Sequence, residues 1–178
     1  MRYMKLVAQC LYEDGSPDAV TLEWHDSQQA PSLVRCVTVF DMNNDGKLDC
    51  AQPEDVDNDG VSNEWDRFKA ITLARQFLDF KWYSRDQSFS KFINVSAHAA
   101  HPDARTDTVR LAFHIGEAHV AFKAEFYSVA DGPQGAFNPD VNGDGQVDFV
   151  DADLVRAFCA GYQALGWFSV GQPAAAKQ

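Results

Sequence analysis

The sequence predicts an α+β fold: a small antiparallel β-sheet carrying two units in which an acidic loop runs into a helix. Three observations predict it. Runs of alternating apolar and polar residues, such as TVRLAFHI (108–115) and AHVAFKAEF (118–126), read as strands. Two acidic stretches, DVDNDGVSNEWD (55–66) and DVNGDGQVDFVD (140–151), place oxygen-bearing side chains at one common spacing. Each stretch is followed by apolar residues recurring at three- and four-residue steps, the period of a helix.

In chain order, residues 3–12 (YMKLVAQCLY) and 19–25 (AVTLEWH) are predicted strands joined by the turn-rich EDGSPD. A loop, DSQQAPS, leads to a third strand, VRCVTVF (34–40), which runs directly into the acidic stretch DMNNDGKLDCAQ (41–52, loop A). Loop B (55–66) follows at once, so no helix enters it. Over residues 63–82, Trp65, Phe68, Ile71, Ala74, Leu78 and Trp82 form a stripe that Leu73, Phe77 and Phe80 widen. That pattern predicts a helix buried around much of its circumference, with its aromatics in the core. Residues 88–97 predict another strand. The hairpin 108–126 is predicted to turn at Gly116-Glu117 in a two-residue type II′ turn. That register pairs Phe113 with Val120, Leu111 with Phe122, His114 with His119 and Arg110 with Lys123, leaving one face apolar. Residues 128–139 read as a Gly/Pro loop leading into loop C (140–151). A second helix is predicted over 149–165, with Leu154, Ala157, Phe158, Gly161 and Leu165 on one side and Gly166 capping its end. Gly161 implies close approach of another element, the first helix, and the tail GQPAAAKQ is expected to be loosely held. The organisation expected is a single compact domain, 1–178. It comprises tandem loops with a helix (41–82), a hairpin insert (83–135) and a second loop–helix unit (136–166).

Loop C carries Asp140, Asn142, Asp144, Asp148 and Asp151 at loop places 1, 3, 5, 9 and 12, with Gly145 at place 6. Loop B puts Asp55, Asp57, Asp59, Asn63 and Asp66 in the same places, with Gly60 at place 6. This is the spacing of a calcium loop. A hard cation takes about six to eight oxygens, the glycine permits a sharp turn, and place 7 offers its backbone carbonyl. Val61 and Gln146 hold that seventh place. Loop A has Asp41, Asn43, Asp45, Gly46, Lys47 and Asp49 in order, but Gln52 where a bidentate carboxylate belongs. Two Ca²⁺ sites are therefore expected. A third stays open at loop A, where Glu54 can substitute if the loop bulges, or Asp49 and Asp55 can share an ion. Asp66 doubles as a first-turn acid, which favours the helix dipole.

The chain has 178 residues and a formal net charge of −11. Carboxylates at ligand places number three, four and four in the three loops, as many as the whole negative excess. The acidity thus reads as metal-binding capacity rather than as a solubilising tail. No basic stripe is present, so no nucleic-acid partner is expected. No apolar run approaches the roughly 20 residues of a membrane span, so no membrane insertion is expected. The segment MRYMKLVAQCLYEDG has no cleavage site and reads as a strand rather than a signal peptide. The chain is then expected to be a mature or recombinant form, or to leave the cell by another route, such as inside a virus particle. Cys10, Cys36, Cys50 and Cys159 contain no CxxC pair. Their even number allows two disulfides, with Cys36 and Cys50 flanking loop A, or four small buried hydrophobes. His114 and His119 read as a solvated cross-strand pair, two metal ligands short of a full set. His98 and His101 fall in a separate loop, AHAAHPDAR.

The stretch DVNGDGQVDFVDADLVRAF resembles one repeat of a bacterial dockerin, an EF-hand-type calcium loop followed by one helix. The matching residues are Asp140, Asn142, Asp144, Asp148 and Asp151, then Leu154, Val155 and Phe158. Loop B and its helix resemble the partner repeat, although a long insert separates the two. The resemblance implies two loop–helix units packed together and docking onto a cohesin-like protein. The places matching a dockerin's recognition pair are Glu64 and Trp65, then Phe149 and Val150. The run 41–66 is also similar to the tandem acidic loops of thrombospondin type 3 repeats, with Cys50 one place from the usual cysteine.

The function expected is that of a non-enzymatic, Ca²⁺-stabilised structural or protein-interaction module in an extracellular, cell-surface or virion assembly. Its partners would be other protein subunits, through self-assembly or a scaffold. Extracellular modules of this kind often bind calcium only at ~10⁻⁴–10⁻³ M. The alternative is a calcium-stabilised secreted hydrolase, or an accessory domain of one. No GxSxG, HExxH or phosphate-cradling glycine loop is present. Isolated carboxylates outside the loops, such as Glu117, Glu125 and Asp131, could form a glycosidase pair, although most acids are already accounted for as ligands. A calcium sensor ranks lower, because entering helices and a Met-rich surface are missing.

Overall fold

A computed structural model describes residues 1–10, 16–84, 90–99, 108–129, 132–137 and 139–170. Its strands are β1 (Arg2–Gln9), β2 (Ala19–Asp26), β3 (Leu33–Phe40), β4 (Cys50–Ala51), β5 (Lys91–Ala99), β6 (Thr108–Ile115), β7 (Val120–Val129), β8 (Gly132–Phe137) and β9 (Ser169–Val170). Its helices are α1 (Glu64–Asp79) and α2 (Phe149–Gln163). All nine strands form one sheet in the order β4-β3-β2-β1-β5-β6-β7-β8, with β9 against β5. Seven are long and antiparallel, whereas β4 and β9 are two-residue pieces.

The expectation of a small sheet subordinate to two loop–helix units is overturned. The sheet dominates, and the helices lie on it. The reason is a long-range pairing that local patterns do not reveal. Met4 of β1 lies opposite Val95 of β5, and Leu6 opposite Ile93. This join fuses one meander, β1 to β4, with a second, β5 to β8. Two stretches read as loop also enter the sheet. Gly132–Phe137 forms β8, and His98 pairs within β5 opposite Thr108. The tail 171–178 and His101 lie outside the described residues.

The two meanders follow one plan: strands, an acidic loop, then a helix. The buried positions correspond one for one. In α1 they are Asp66, Ala70, Leu73, Ala74 and Phe77; in α2 they are Asp151, Val155, Phe158, Cys159 and Tyr162. Gly161 lies against Leu73 and Gln76, and Phe158 lies 5.2 Å from Phe80, so the helices cross antiparallel. Gln76 and Gly161 hold corresponding places, and the approximate two-fold between the halves brings them face to face. A Cβ on Gly161 would sit 2.7 Å from Gln76 Oε1. A Cβ there would push the end of the Gln76 side chain aside, and the bare glycine lets the helices meet without that shift, which is the close approach Gly161 implied.

Strand alternation turns Met4, Leu6, Leu22, Trp24, Val37 and Ile93 toward the helices, where all are fully buried. Packed against them, α1 covers β1 to β4 and α2 covers β7 and β8. The helical stripes differ from the predicted ones by a rotation. Trp65 and Phe68 are 71% and 60% exposed, while Ala70, Leu73 and Phe77 face the sheet. In α2 the inward residues are Val155, Phe158, Cys159 and Tyr162, and Ala157 is exposed. Both helices carry apolar residues on more than one face, so period alone did not choose the buried one.

The hairpin register is also corrected. Phe113 lies opposite Phe122, Leu111 opposite Ala124 and Arg110 opposite Glu125, with a bulge between Phe113 and His114. The turn is longer than two residues, closed by Ile115 N–H donating to the His119 carbonyl at 3.0 Å. The shift is by two residues, so most side chains keep their predicted face. Beyond the bulge Val120 changes sides and pairs with His114. Among the described residues no helix is long and apolar enough to cross a membrane.

Candidate metal centre

The loops grow from the sheet at its two ends. β3 ends at Phe40 and feeds loop A, β4 feeds loop B, and the segment after β8 feeds loop C. All three adopt one backbone shape. Places 4 and 6 have positive φ: Asn44 (55°) and Gly46 (83°), Asn58 (62°) and Gly60 (90°), Gly143 (70°) and Gly145 (86°). Glycine and asparagine tolerate this left-handed region best, which explains their placement.

The hydrogen bonds repeat as closely. The place-1 carboxylate accepts the N–H groups of places 5 and 6: Asp41 from Asp45 and Gly46, Asp55 from Asp59 and Gly60, Asp140 from Asp144 and Gly145. Place 3 accepts the place-5 N–H, through Asn43, Asp57 and Asn142. Place 5 accepts the place-7 N–H, from Lys47 to Asp45, Val61 to Asp59 and Gln146 to Asp144. Each loop thereby draws its first three candidate ligand side chains inward. In loop B one carboxylate oxygen each from Asp55, Asp57 and Asp59 lies within 4.8 Å of the others. Loops A and C have asparagine at place 3 and so bring together fewer acids.

Places 9 and 12 have a second duty in loops B and C. Asn63 and Asp148 are the N-caps of α1 and α2, accepting from Trp65 N–H at 2.7 Å and Val150 N–H at 2.8 Å. Asp66 and Asp151 return bonds to the N-cap backbone, completing capping boxes. Both are fully buried. Each also accepts the N–H groups of loop places 2 and 3: Val56 and Asp57 for Asp66, Val141 and Asn142 for Asp151. The place-12 carboxylate therefore ties the start of the loop to the start of the helix.

Loop A closes differently. Gln52 Oε1 accepts from Thr38 N–H at 3.2 Å and so belongs to the sheet, not to the loop. The place-2 N–H, from Met42, goes instead to Asp49 at 3.2 Å. Asp49 takes over part of the closing role after nine residues, and the chain turns into β4 rather than a helix. Arg75 of α1 donates to the Leu48 carbonyl at 2.8 Å and fixes this loop to the helix.

Positions 41, 43, 45, 49, 55, 57, 59, 63, 66, 140, 142, 144, 148 and 151 thus sit in three closed loops. The place-7 residues Lys47, Val61 and Gln146 are exposed, and the Val61 carbonyl accepts from Asn63 Nδ2 at 3.1 Å. This donor set is all oxygen and rich in carboxylate, which fits a hard divalent cation such as Ca²⁺. Two residues outside the motif were not singled out by spacing. One is Arg75. The other is Lys69, whose ammonium pairs with Asp57; its only sequence signal is a cation one turn past Asp66.

Other candidate ligands do not assemble. The bulge separates His114 from His119, and His114 stacks on Phe92 at 4.5 Å with Asn94 Nδ2 3.2 Å from its Nε2. No disulfide joins any two of the four cysteines, and only Cys159 is buried. Cys50 pairs opposite Phe40, several residues along β3 from Cys36, so the strand register holds the two roughly 13 Å apart, beyond disulfide reach. On the sheet face away from the helices, Tyr3, Asn94, Ser96, His114 and Lys123 line a groove of about 460 Å³. Glu125 there is paired with Arg110 at 3.0 Å. No family model matches the chain, and no curated protein or solved structure matches it.

Proposed function

We propose that the chain is a non-enzymatic calcium-binding structural or protein-interaction module, stabilised by Ca²⁺ and working within an extracellular, cell-surface or virion assembly. One observation carries this reading: a single loop conformation, with the same positive-φ places and the same carboxylate hydrogen bonds, built three times from different residues. Carboxylates gathered this closely repel one another, and a divalent cation relieves that repulsion. Its binding energy then adds to folding energy. In loops B and C the ion would be held by carboxylates whose neighbours start α1 and α2, so it would also stiffen both helices.

An interaction role is supported by the surface at the loop exits. Trp65 and Phe68 of α1 and Phe149 of α2 are among the most exposed large apolar side chains, at 71%, 60% and 75%. They occupy comparable ends of the two units. Exposed aromatics in such a position suit contact with another protein subunit, whether a scaffold or a second copy.

Calorimetric titration of the EDTA-stripped chain with Ca²⁺, alongside melts in both states, tests the reading. Loops B and C should take one ion each, and the stoichiometry decides whether loop A takes a third. At a free ion concentration about 100-fold above Kd, each site adds about 2.7 kcal/mol of stability. No heat of binding together with an unchanged melt would sink the proposal.

A further inference from the structure

We infer that Lys69 is a tethered counter-cation for loop B, holding that loop together without metal and competing with the ion for Asp57. This role rests on the calcium-binding reading above and concerns how one of its sites is tuned.

The three loops face the same difficulty at places 3 and 5, where two oxygen-rich side chains converge. Loops A and C resolve it internally. The Nδ2 of Asn43 donates to Asp45 at 3.3 Å, and the Nδ2 of Asn142 donates to Asp144 at 3.1 Å. Loop B has Asp57 at place 3, which has no proton to give. Its Oδ1 accepts the Asp59 N–H at 3.2 Å, and its Oδ2 takes the ammonium of Lys69. The pair is well shielded, with side chains 30% and 16% exposed. The adjacent ammonium holds the Asp57 carboxyl below the usual carboxylate range.

The approximate two-fold supplies an internal comparison. Lys69 of α1 corresponds to Leu154 of α2, and Asp57 corresponds to Asn142. The second unit has neither the extra acid nor the cation. An ion entering loop C meets four carboxylates, none of them paired with a cation among the described residues as Asp57 is with Lys69. An ion entering loop B must displace the ammonium from Asp57 Oδ2 or bind beside it, against charge repulsion. Loop C therefore fills first, and loop B binds more weakly than its carboxylate count implies. Without metal, Lys69 does for loop B what the asparagine amides do for the other two.

Gly60 and Gly145 hold the same place in loops B and C, so their amide NMR signals report each loop separately. Ca²⁺ is titrated into the stripped wild type, Lys69→Met and Lys69→Arg. In the wild type the Gly145 signal should saturate before that of Gly60. In Lys69→Met the Gly60 midpoint should fall to lower Ca²⁺ by on the order of tenfold, the scale of one unit charge against a divalent ion a few ångströms away. The Gly145 midpoint should stay put, and the metal-free melting temperature should drop by roughly 1–4 °C. Lys69→Arg should behave as wild type. A Gly60 midpoint that is unchanged or raised in Lys69→Met overturns the role of Lys69 while leaving calcium binding intact. If neither glycine responds in the wild type, the calcium reading fails and this role with it. Should Lys69→Met not fold without metal, the triple variant Asp57→Asn/Asn63→Asp/Lys69→Met, which gives loop B the ligand set of loop C, takes its place. Its Gly60 and Gly145 should then titrate together, and a persisting gap between them refutes the inference.

Discussion

Replacing Asp151 by alanine separates the structural duty of a loop acid from its proposed duty as a metal ligand. The Asp151 carboxylate is fully buried and accepts three backbone N–H groups: Val141 at 2.8 Å, Asn142 at 3.3 Å and Asp148 at 3.0 Å. Alanine strands all three donors, of which Val141 and Asn142 belong to buried residues. At about 1–2 kcal/mol for each unsatisfied donor, the loss is about 3–5 kcal/mol before any ion is considered. For a chain of this size that lowers the melting temperature by about 10 °C. Asp144, also a proposed ligand, is exposed; its oxygens accept from Gln146 N–H and the Asn142 amide, which water can replace. Asp144→Ala should therefore cost less than about 1 kcal/mol in EDTA, yet remove one ion and most of the Ca²⁺-induced stabilisation at loop C. The assay is thermal melting of wild type and both variants, in EDTA and in Ca²⁺, with bound ions counted by calorimetry. An Asp151→Ala melt in EDTA within 2 °C of wild type, on the roughly 2–4 °C per kcal/mol scale, would refute the place of this carboxylate in the fold.

Three further outcomes are expected. Gly116→Val should cost about 1–2 kcal/mol, because Gly116 holds φ at 67° with open space where a Cβ would sit, so the penalty is backbone strain alone; an unshifted denaturation midpoint would contradict it. Gly161→Leu should cost about 1–3 kcal/mol through collision with Gln76 and Leu73, and a neutral result would argue against the antiparallel helix contact. Burial lowers the pKa of His114 below its ordinary value of 6.5, so the unfolded chain takes up the proton first as pH falls. Stability should then decline as pH drops below about 6.5 and level off under the folded-state pKa. Chemical denaturation across that range should show a flatter profile in His114→Gln.

The loops were the most legible part of the chain, and the reason is locality. Every ligand place lies within twelve residues, and the positive-φ places fall on Asn44, Gly46, Asn58, Gly60, Gly143 and Gly145, residues that accept that conformation. Strand existence was legible where alternation was clean, as in 19–25 and 108–115. Helix limits were legible to within a few residues, since α1 spans Glu64–Asp79 and α2 Phe149–Gln163. The buried helix face was not. Trp65 and Phe68 looked like core because they are large and apolar, yet the sheet meets the side that carries Ala70, Leu73 and Phe77. Lys69 was invisible as a site residue because its partner Asp57 already had a role and a lone lysine on a helix reads as surface.

What the sequence by itself determined is therefore the set of short-range structures: the three loops, the helices that follow two of them, and the close approach at Gly161. Each depends on contacts within a dozen residues or on the absence of one side chain. The tertiary structure alone decided the size of the sheet and the partners of its strands. β1 meets β5 across almost ninety residues of chain, and their apolar faces fit many partners equally well until both helices cover them. It also decided the hairpin register, because a bulge at His114 trades an ideal turn for Phe113 stacked on Phe122 at 4.2 Å. Local chemistry specifies a loop because its hydrogen bonds are its own. A sheet borrows its hydrogen bonds from whichever strand the whole fold brings alongside.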